Sequence, residues 1–440
     1  LHQMPPAVKD RPHRNVAISN DDQGIFFLRI RPRCNSGMKQ LLSEISKRVD
    51  AHKDECVSFL QEMIRTSSPS GEETNVAELV AGKMRSVGFD AVKLDRLSDV
   101  MAAIKGVGGG RSLLLNGHLD HVPDGDMVDP HSAKIIDGSI FGVNGEVVYG
   151  RGASDMKGAL AAMIMAGEVL RDIEVELRGD LKIAAVAQEE AGGAGTMATI
   201  QEGHLLGDLV IVGEATDMDV ALGHRGSFGT SVVVRGVSCH ASAPERGVNA
   251  IYGATDLIAR IRSDLIPKLP DHATFGKTTL AVTKMQVRPN AGNVVPEECE
   301  FYIDCRNGPN FPPEALKGAL DEIIASMKKD DPAFDALVVP TSLIRGLRGF
   351  TGFYTDPSAY PIVHDVRASL AEVLARDPRL TVWRFATDGR FYSYLGIPVL
   401  GFGPGEERFA HTQQDHVRVE DFIDSVKAYA WLACRICGVD

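Results

Sequence analysis

Apolar residues recur every three or four positions from Met38 onward: Leu41, Leu42, Ile45 and Val49, then Cys56, Phe59, Leu60, Met63 and Ile64. That spacing puts them on one helical face and predicts a helical segment ending at Ser67-Ser68-Pro69-Ser70-Gly71. A second amphipathic helix is predicted over 72–87. The period then changes: 101–107 and 112–116 read as strands, the second with a Leu113-Leu114-Leu115 core suited to burial on both faces. A helix over 159–171, a strand over 181–187, a short helix near 195–202 and a strand over 209–212 follow. Continuous apolar strands alternating with helices predict a mostly parallel, helix-covered α/β sheet.

Near Gly223 the pattern shifts to a strand over 227–235, a helix over 247–264, strands over 278–288 and 297–305, a helix over 312–328 and a last strand over 337–340. This β-α-β-β-α-β order is the ferredoxin-like split motif. Beyond 345 the α/β pattern returns, with a helix over 363–376, strands near 380–385 and 397–402, and a helix over 419–437. The expected architecture is one α/β catalytic domain in two pieces, 38–222 and 346–440, with an α+β lid, 223–345, inserted between them. Residues 1–37 show no clear period and are expected to be a disordered or cloning-derived extension, with at most a stray strand over 25–30.

Composition narrows the function classes. A chain of 440 residues exceeds one ordinary core. The net charge of −12 argues against nucleic acid and anionic membrane surfaces as partners. No apolar run approaches the roughly 20 residues of a membrane span. Seven scattered cysteines make no disulfide framework, which predicts a cytoplasmic protein. Cys434 and Cys437 lie in or beside the apolar run 428–436 and are expected to pack inside a helix.

The candidate chemistry sits where strands end. Gly150-Arg151-Gly152-Ala153-Ser154-Asp155-Met156-Lys157-Gly158 fixes one acid on a glycine-rich turn before a helix. Alone, Asp155 reads as a helix cap. His118-Leu119-Asp120-His121 follows the Leu113–Leu115 strand, so His118 arrives at a C-terminal strand end, where open α/β sheets gather ligands. At extended spacing Asp120 lies on the same side and can orient the ring of His118, while His121 faces away. Glu189-Glu190 ends another buried strand, Glu214 follows 209–212, and His411 lies in a glycine-containing loop. One carboxylate bridging two cations, with one histidine and one glutamate for each, makes a dinuclear hydrolytic zinc site.

From about Met38 to the C-terminus the chain resembles the M20 metallopeptidase and amidohydrolase family. The likeness rests on Ser68-Pro69-Ser70-Gly71-Glu72, Gly117-His118-Leu119-Asp120, Gly150 to Gly158, Glu189-Glu190, Gly213-Glu214-Ala215-Thr216 and Ala410-His411-Thr412. It implies two Zn2+ per chain, with Co2+ or Mn2+ as substitutes. Asp155 would bridge them, His118 and Glu214 would complete one metal, and Glu190 and His411 the other. Glu189 would be the general base and Asp120 the orienter of His118. In the lid, Val237 to Pro244 resembles the segment whose histidine, here His240, enters the partner subunit's site and stabilises the oxyanion, so a homodimer through the lid is implied. Asn293 and Arg306 resemble residues that hold a substrate carboxylate. Thr387 to Phe391 most resembles the acetylornithine deacetylase and succinyl-diaminopimelate desuccinylase branch, where Arg390 would meet a second substrate acid. Gln414-Asp415 stands where members often carry Asn-Glu or Asp-Glu, which puts a supporting role there in question; His416 is not expected to be a ligand. The implied activity is hydrolysis of an N-acyl amino acid amide. A di- or tripeptidase or carboxypeptidase is the alternative, and a non-catalytic binding relative a third reading that the intact ligand set disfavours.

Overall fold

A computed structural model describes residues 35–202, 206–339 and 350–439. The expectation for 1–34, the stray strand included, lies outside those residues, as do Pro340 and the expected boundary at 345/346. Two compact units are distinguished, Leu1–Leu41 and Leu42–Asp440, and the elements that build the sheets and the site all belong to the second.

The apolar stripe from Leu41 to Ile64 forms two helices, Asn35–Ala51 and Lys53–Arg65, so the first starts earlier than Met38 and the pair breaks at His52. The main sheet contains β1 (Ala91–Leu94), β2 (Val100–Ile104) and β3 (Leu113–His118). A hairpin, β4 (Lys134–Asp137) and β5 (Glu146–Tyr149), lies off it. β6 (Leu181–Val186), β7 (Leu209–Val212) and β8 (Val220–His224) rejoin the sheet. Strand β8 straddles 222/223, and the inserted unit's first strand, β9 (Gly226–Arg235), starts just beyond it.

The insert continues with helix Ala250–Arg260, β10 (Thr279–Arg288), β11 (Glu298–Asn307), helix Pro313–Asp330 and β12 (Asp335–Val339). Its sheet runs β10-β11-β9-β12, all antiparallel, which is the ferredoxin-like arrangement. Val232, Val234, Phe301, Ile303 and Val338 alternate inward from its strands onto a core of their own with Leu257 and Leu320 from the helices. The chain then returns to the main sheet through β13 (Phe353–Tyr354), β14 (Leu380–Trp383) and β15 (Val399–Gly401), and ends in β16 (His416–Arg418) and helix Val419–Cys437.

The centre of the main sheet, β6-β3-β7-β15, is parallel, while β1, β2 and most of the β8 side pair antiparallel at its flanks. Its strands are apolar on both faces because helices cover it; Leu113 to Leu115 and Val210 to Ile211 are fully buried. Cys434 and Cys437 are buried in the last helix, and burial pushes both thiols up, Cys437 to about 12 and Cys434 further. Among the described residues no helix is long and apolar enough to cross a membrane.

Candidate functional site

The four central parallel strands all point their C-terminal ends one way, and each leads into a candidate ligand loop. β3 ends on His118, β6 leads to Glu189 and Glu190, β7 to Glu214, and β15 to the loop that holds His411. Asp155 comes from the turn before helix Gly158–Asp172, where Gly152 takes φ +80°, a left-handed value that favours glycine. A second, smaller sheet brings that turn to His411. β16 pairs with β5 in the register His416↔Tyr149, so the segment that follows His411 runs beside the strand that enters the Asp155 turn.

The side chains meet. His118 Nε2 lies 2.9 Å from Asp155 Oδ1 and 3.6 Å from Glu214 Oε1. His411 Nε2 lies 3.1 Å from Asp155 Oδ2 and 2.7 Å from Glu190 Oε1. Potential ligand atoms of His118, Asp155 and Glu190 fall within 4.8 Å of one another, as do those of His118, Glu189 and Glu214. His118, Asp155 and Glu214 are buried, and Glu214 Oε2 is a buried oxygen with no hydrogen-bond partner. Two imidazoles and four carboxylates converge here, and an uncompensated buried carboxylate oxygen is costly. This donor set fits divalent transition-metal ions.

Charge is unevenly shared within the cluster. Burial works against ionisation of Asp155, but hydrogen bonds from His118 and His411 overcome it and hold the carboxyl below its usual range. The same contacts with Asp155 and Glu190 raise His411 to about 10. Glu189 is pushed well up, first by burial and then by the negative charge of Asp388. Burial and Asp155 do the same to Glu214.

Asp120 meets the His118 ring chiefly through its backbone. His118 Nδ1 meets the backbone carbonyl of Asp120 at 2.9 Å, while the nearer carboxylate oxygen stands 3.6 Å away. The chain leaves the strand at His118, so the extended geometry that aligned the two side chains does not continue. The carboxylate instead accepts the Ser70 hydroxyl at 2.7 Å and the amides of Glu189 and Glu190 at 3.0 and 3.1 Å. His121 faces away, accepting the Ser68 amide on Nε2, and burial lowers it to about 4.

Asp415 is a residue whose role the sequence left in question. It is 1% exposed and accepts the Gly152 amide at 2.7 Å, the Ser154 amide at 2.8 Å and the Arg151 guanidinium at 3.3 Å. The Asp155 turn therefore hangs on the chain segment that follows His411. Lys157, fully buried, donates to Met63 O and Thr66 O and ties the same turn to the end of helix Lys53–Arg65. His416 stacks on Phe141, 4.6 Å between centroids, outside the cluster.

His240, Asn293 and Arg306 lie on the insert. His240, itself exposed, pairs with Val294 on a short ladder beside Asn293, and its Nδ1 accepts from the Ser242 amide. Arg306 is half-exposed and pairs with Asp304 at 2.9 Å. Arg390, on helix Gly389–Tyr394, is 7% exposed, lies 4.8 Å over the Phe391 ring, and has an unpartnered Nε. It lines a cavity of about 400 Å³ with Phe350, Phe353, Tyr354 and Tyr394.

Comparison with known proteins agrees with this arrangement. The model of peptidase family M20/M25/M40 matches residues 114–435. The chain is 29% identical over 412 residues to the uncharacterised protein YgeY of Escherichia coli K12, covering 88% of this chain and 97% of that one. It is 30% identical to an acetylornithine deacetylase of Myxococcus xanthus, covering 81% and 90%. The solved structure of aminopeptidase PepT from Bacillus cereus superposes with a TM-score of 0.68 at 19% identity, covering 87% and 98%. With the family match spanning both strand-end loops and insert, this chain belongs to peptidase family M20/M25/M40, a metal-dependent family of hydrolases.

Proposed function

We propose that the chain is a dinuclear zinc-dependent hydrolase of amide bonds in small N-acyl amino acids, of the deacetylase or desuccinylase type. The observation that carries this reading is Asp155, whose two oxygens each face a different histidine. His118 and Glu214 would hold one ion, Glu190 and His411 the other, and Asp155 would serve both; Co2+ or Mn2+ would be substitutes. Bound zinc supplies a Lewis acid that polarises the amide carbonyl and makes water acidic enough to attack at neutral pH.

The chain's own groups do the rest. Glu189 takes a proton from the attacking water and returns it to the leaving nitrogen, and its raised affinity for a proton suits that exchange. Asp120 holds the Glu189 and Glu190 amides. Arg306 and Asn293 hold the substrate carboxylate, and Arg390 offers a second acid-binding guanidinium. His240 of the partner subunit donates to the oxyanion in a homodimer joined through the lid. The lid is the insert that starts after β8, at Gly226 rather than at 223, between the two catalytic pieces. A cytoplasmic setting accords with the free thiols among the described residues.

The acetylornithine deacetylase relative and the buried Arg390, whose Nε has no hydrogen-bond partner, favour an acylated amino acid over a peptide. The test is a screen of zinc- and cobalt-loaded protein against N-acetyl, N-succinyl and N-carbamoyl amino acids beside di- and tripeptides. Turnover of an N-acyl amino acid at least about tenfold faster than any peptide supports the reading. Peptides cleaved faster would replace it with a peptidase.

A further inference from the structure

Four successive amides lead into the Glu189-Glu190 pair, and each donates to a side-chain carboxylate. Ala187 N–H meets Asp99 Oδ1 at 2.7 Å and Gln188 N–H meets Glu73 Oε1 at 3.0 Å. Glu189 and Glu190 donate to the two oxygens of Asp120. The three acids are at most 2% exposed and come from separate places: just before β2, the start of helix Thr74–Val87, and just after β3.

The loop needs this support. Gln188 is held at φ +56°, a left-handed conformation uncommon for a residue with a side chain. Carboxylates accepting backbone N–H groups make charge-assisted bonds, roughly twice as strong as neutral ones. Glu73 occupies the capping position of its helix yet makes no capping bond to it; Oε1 is spent on Gln188 and on the Gly71 amide at 2.8 Å. Ser70, two residues before the end of the Ser68–Glu72 motif, meanwhile donates to Asp120. One short turn thus grips the catalytic loop twice.

We propose that Glu73 is a positioning residue: its carboxylate fixes the backbone at Gln188 and thereby the aim of Glu189 and Glu190, with Asp99 bracing the residue before. The consequence for turnover rests on Glu189 acting as the general base; the consequence for the loop does not. A base displaced by a fraction of an ångström loses rate while substrate binding persists.

Two variants separate this role from helix capping. Glu73→Ser supplies a good cap but is too short to reach Gln188; Glu73→Gln keeps an acceptor oxygen at full length. Amide hydrogen exchange, followed by mass spectrometry on metal-free protein, reads the loop directly. In Glu73→Ser, peptides covering 186–192 should exchange at least about tenfold faster, with exchange in β3 and β7 unchanged. In zinc-loaded protein, kcat should fall at least about tenfold with KM within about threefold of wild type. Glu73→Gln should restore both to within about threefold. Unchanged exchange in Glu73→Ser, or a Glu73→Gln variant as loose as Glu73→Ser, would overturn the proposal. If the loop loosens but wild type cleaves no amide in the screen, the positioning role stands and the functional reading fails.

Discussion

His411 Nε2 stands 3.1 Å from Asp155 Oδ2, although one residue lies before the insert in the chain and the other after it. The other oxygen of Asp155 faces His118 at 2.9 Å. One carboxylate is therefore shared by two imidazoles. Asp155→Asn is expected to lower bound metal from about two ions per chain to near zero, whereas Glu214→Gln should retain about one. Metal analysis after gel filtration distinguishes the two; equal losses would remove Asp155 from its bridging place.

Glu189 is close to the cluster but is assigned to the proton. Glu189→Gln is expected to cut kcat by about 10²–10⁴-fold while both metals remain. Loss of a metal in that variant would make Glu189 a ligand instead.

Asp415 holds the Asp155 turn through two amides and Arg151. Asp415→Ala leaves the Gly152 and Ser154 amides without a partner in a buried place, while Arg151 keeps Thr412 O and Asp124 O, and is expected to cost about 2–5 kcal/mol in urea unfolding. Asp415→Asn, which keeps acceptor capacity, should lose less. A loss below about 1 kcal/mol for the alanine variant would show that the contacts do not support the fold.

His224 supplies a pH dependence away from the metal cluster. It is fully buried, and burial lowers it from 6.5 to about 4. Between those values the unfolded chain binds a proton that the folded chain refuses. Its contribution is therefore complete above about pH 6.5 and is lost as pH falls toward 4, by up to about 1.4 kcal/mol per pH unit. Urea titrations at pH 7 and pH 5 should show a smaller drop for His224→Gln than for wild type; equal drops would contradict the assignment.

The parallel strands and their terminal acids and histidines were legible because both derive from strong local signals. Leu113 to Leu115 read as buried, and His118 closes the same strand. The small sheet that brings His411 to Asp155 was not legible. Lys134–Asp137 is largely exposed, and β16 is three residues long, so neither carries a period. Asp120 meets His118 through its backbone carbonyl more closely than through its carboxylate, because an i,i+2 argument holds only while the strand continues. Asp415 and Glu73 act on backbone amides far away in sequence, and such bonds leave no trace in residue spacing.

The most direct test of the shared-carboxylate centre is anomalous diffraction from crystals grown with zinc. The expected result is two peaks flanking Asp155, one beside His118 and Glu214, the other beside Glu190 and His411. A single peak, or peaks that do not share Asp155, would contradict it.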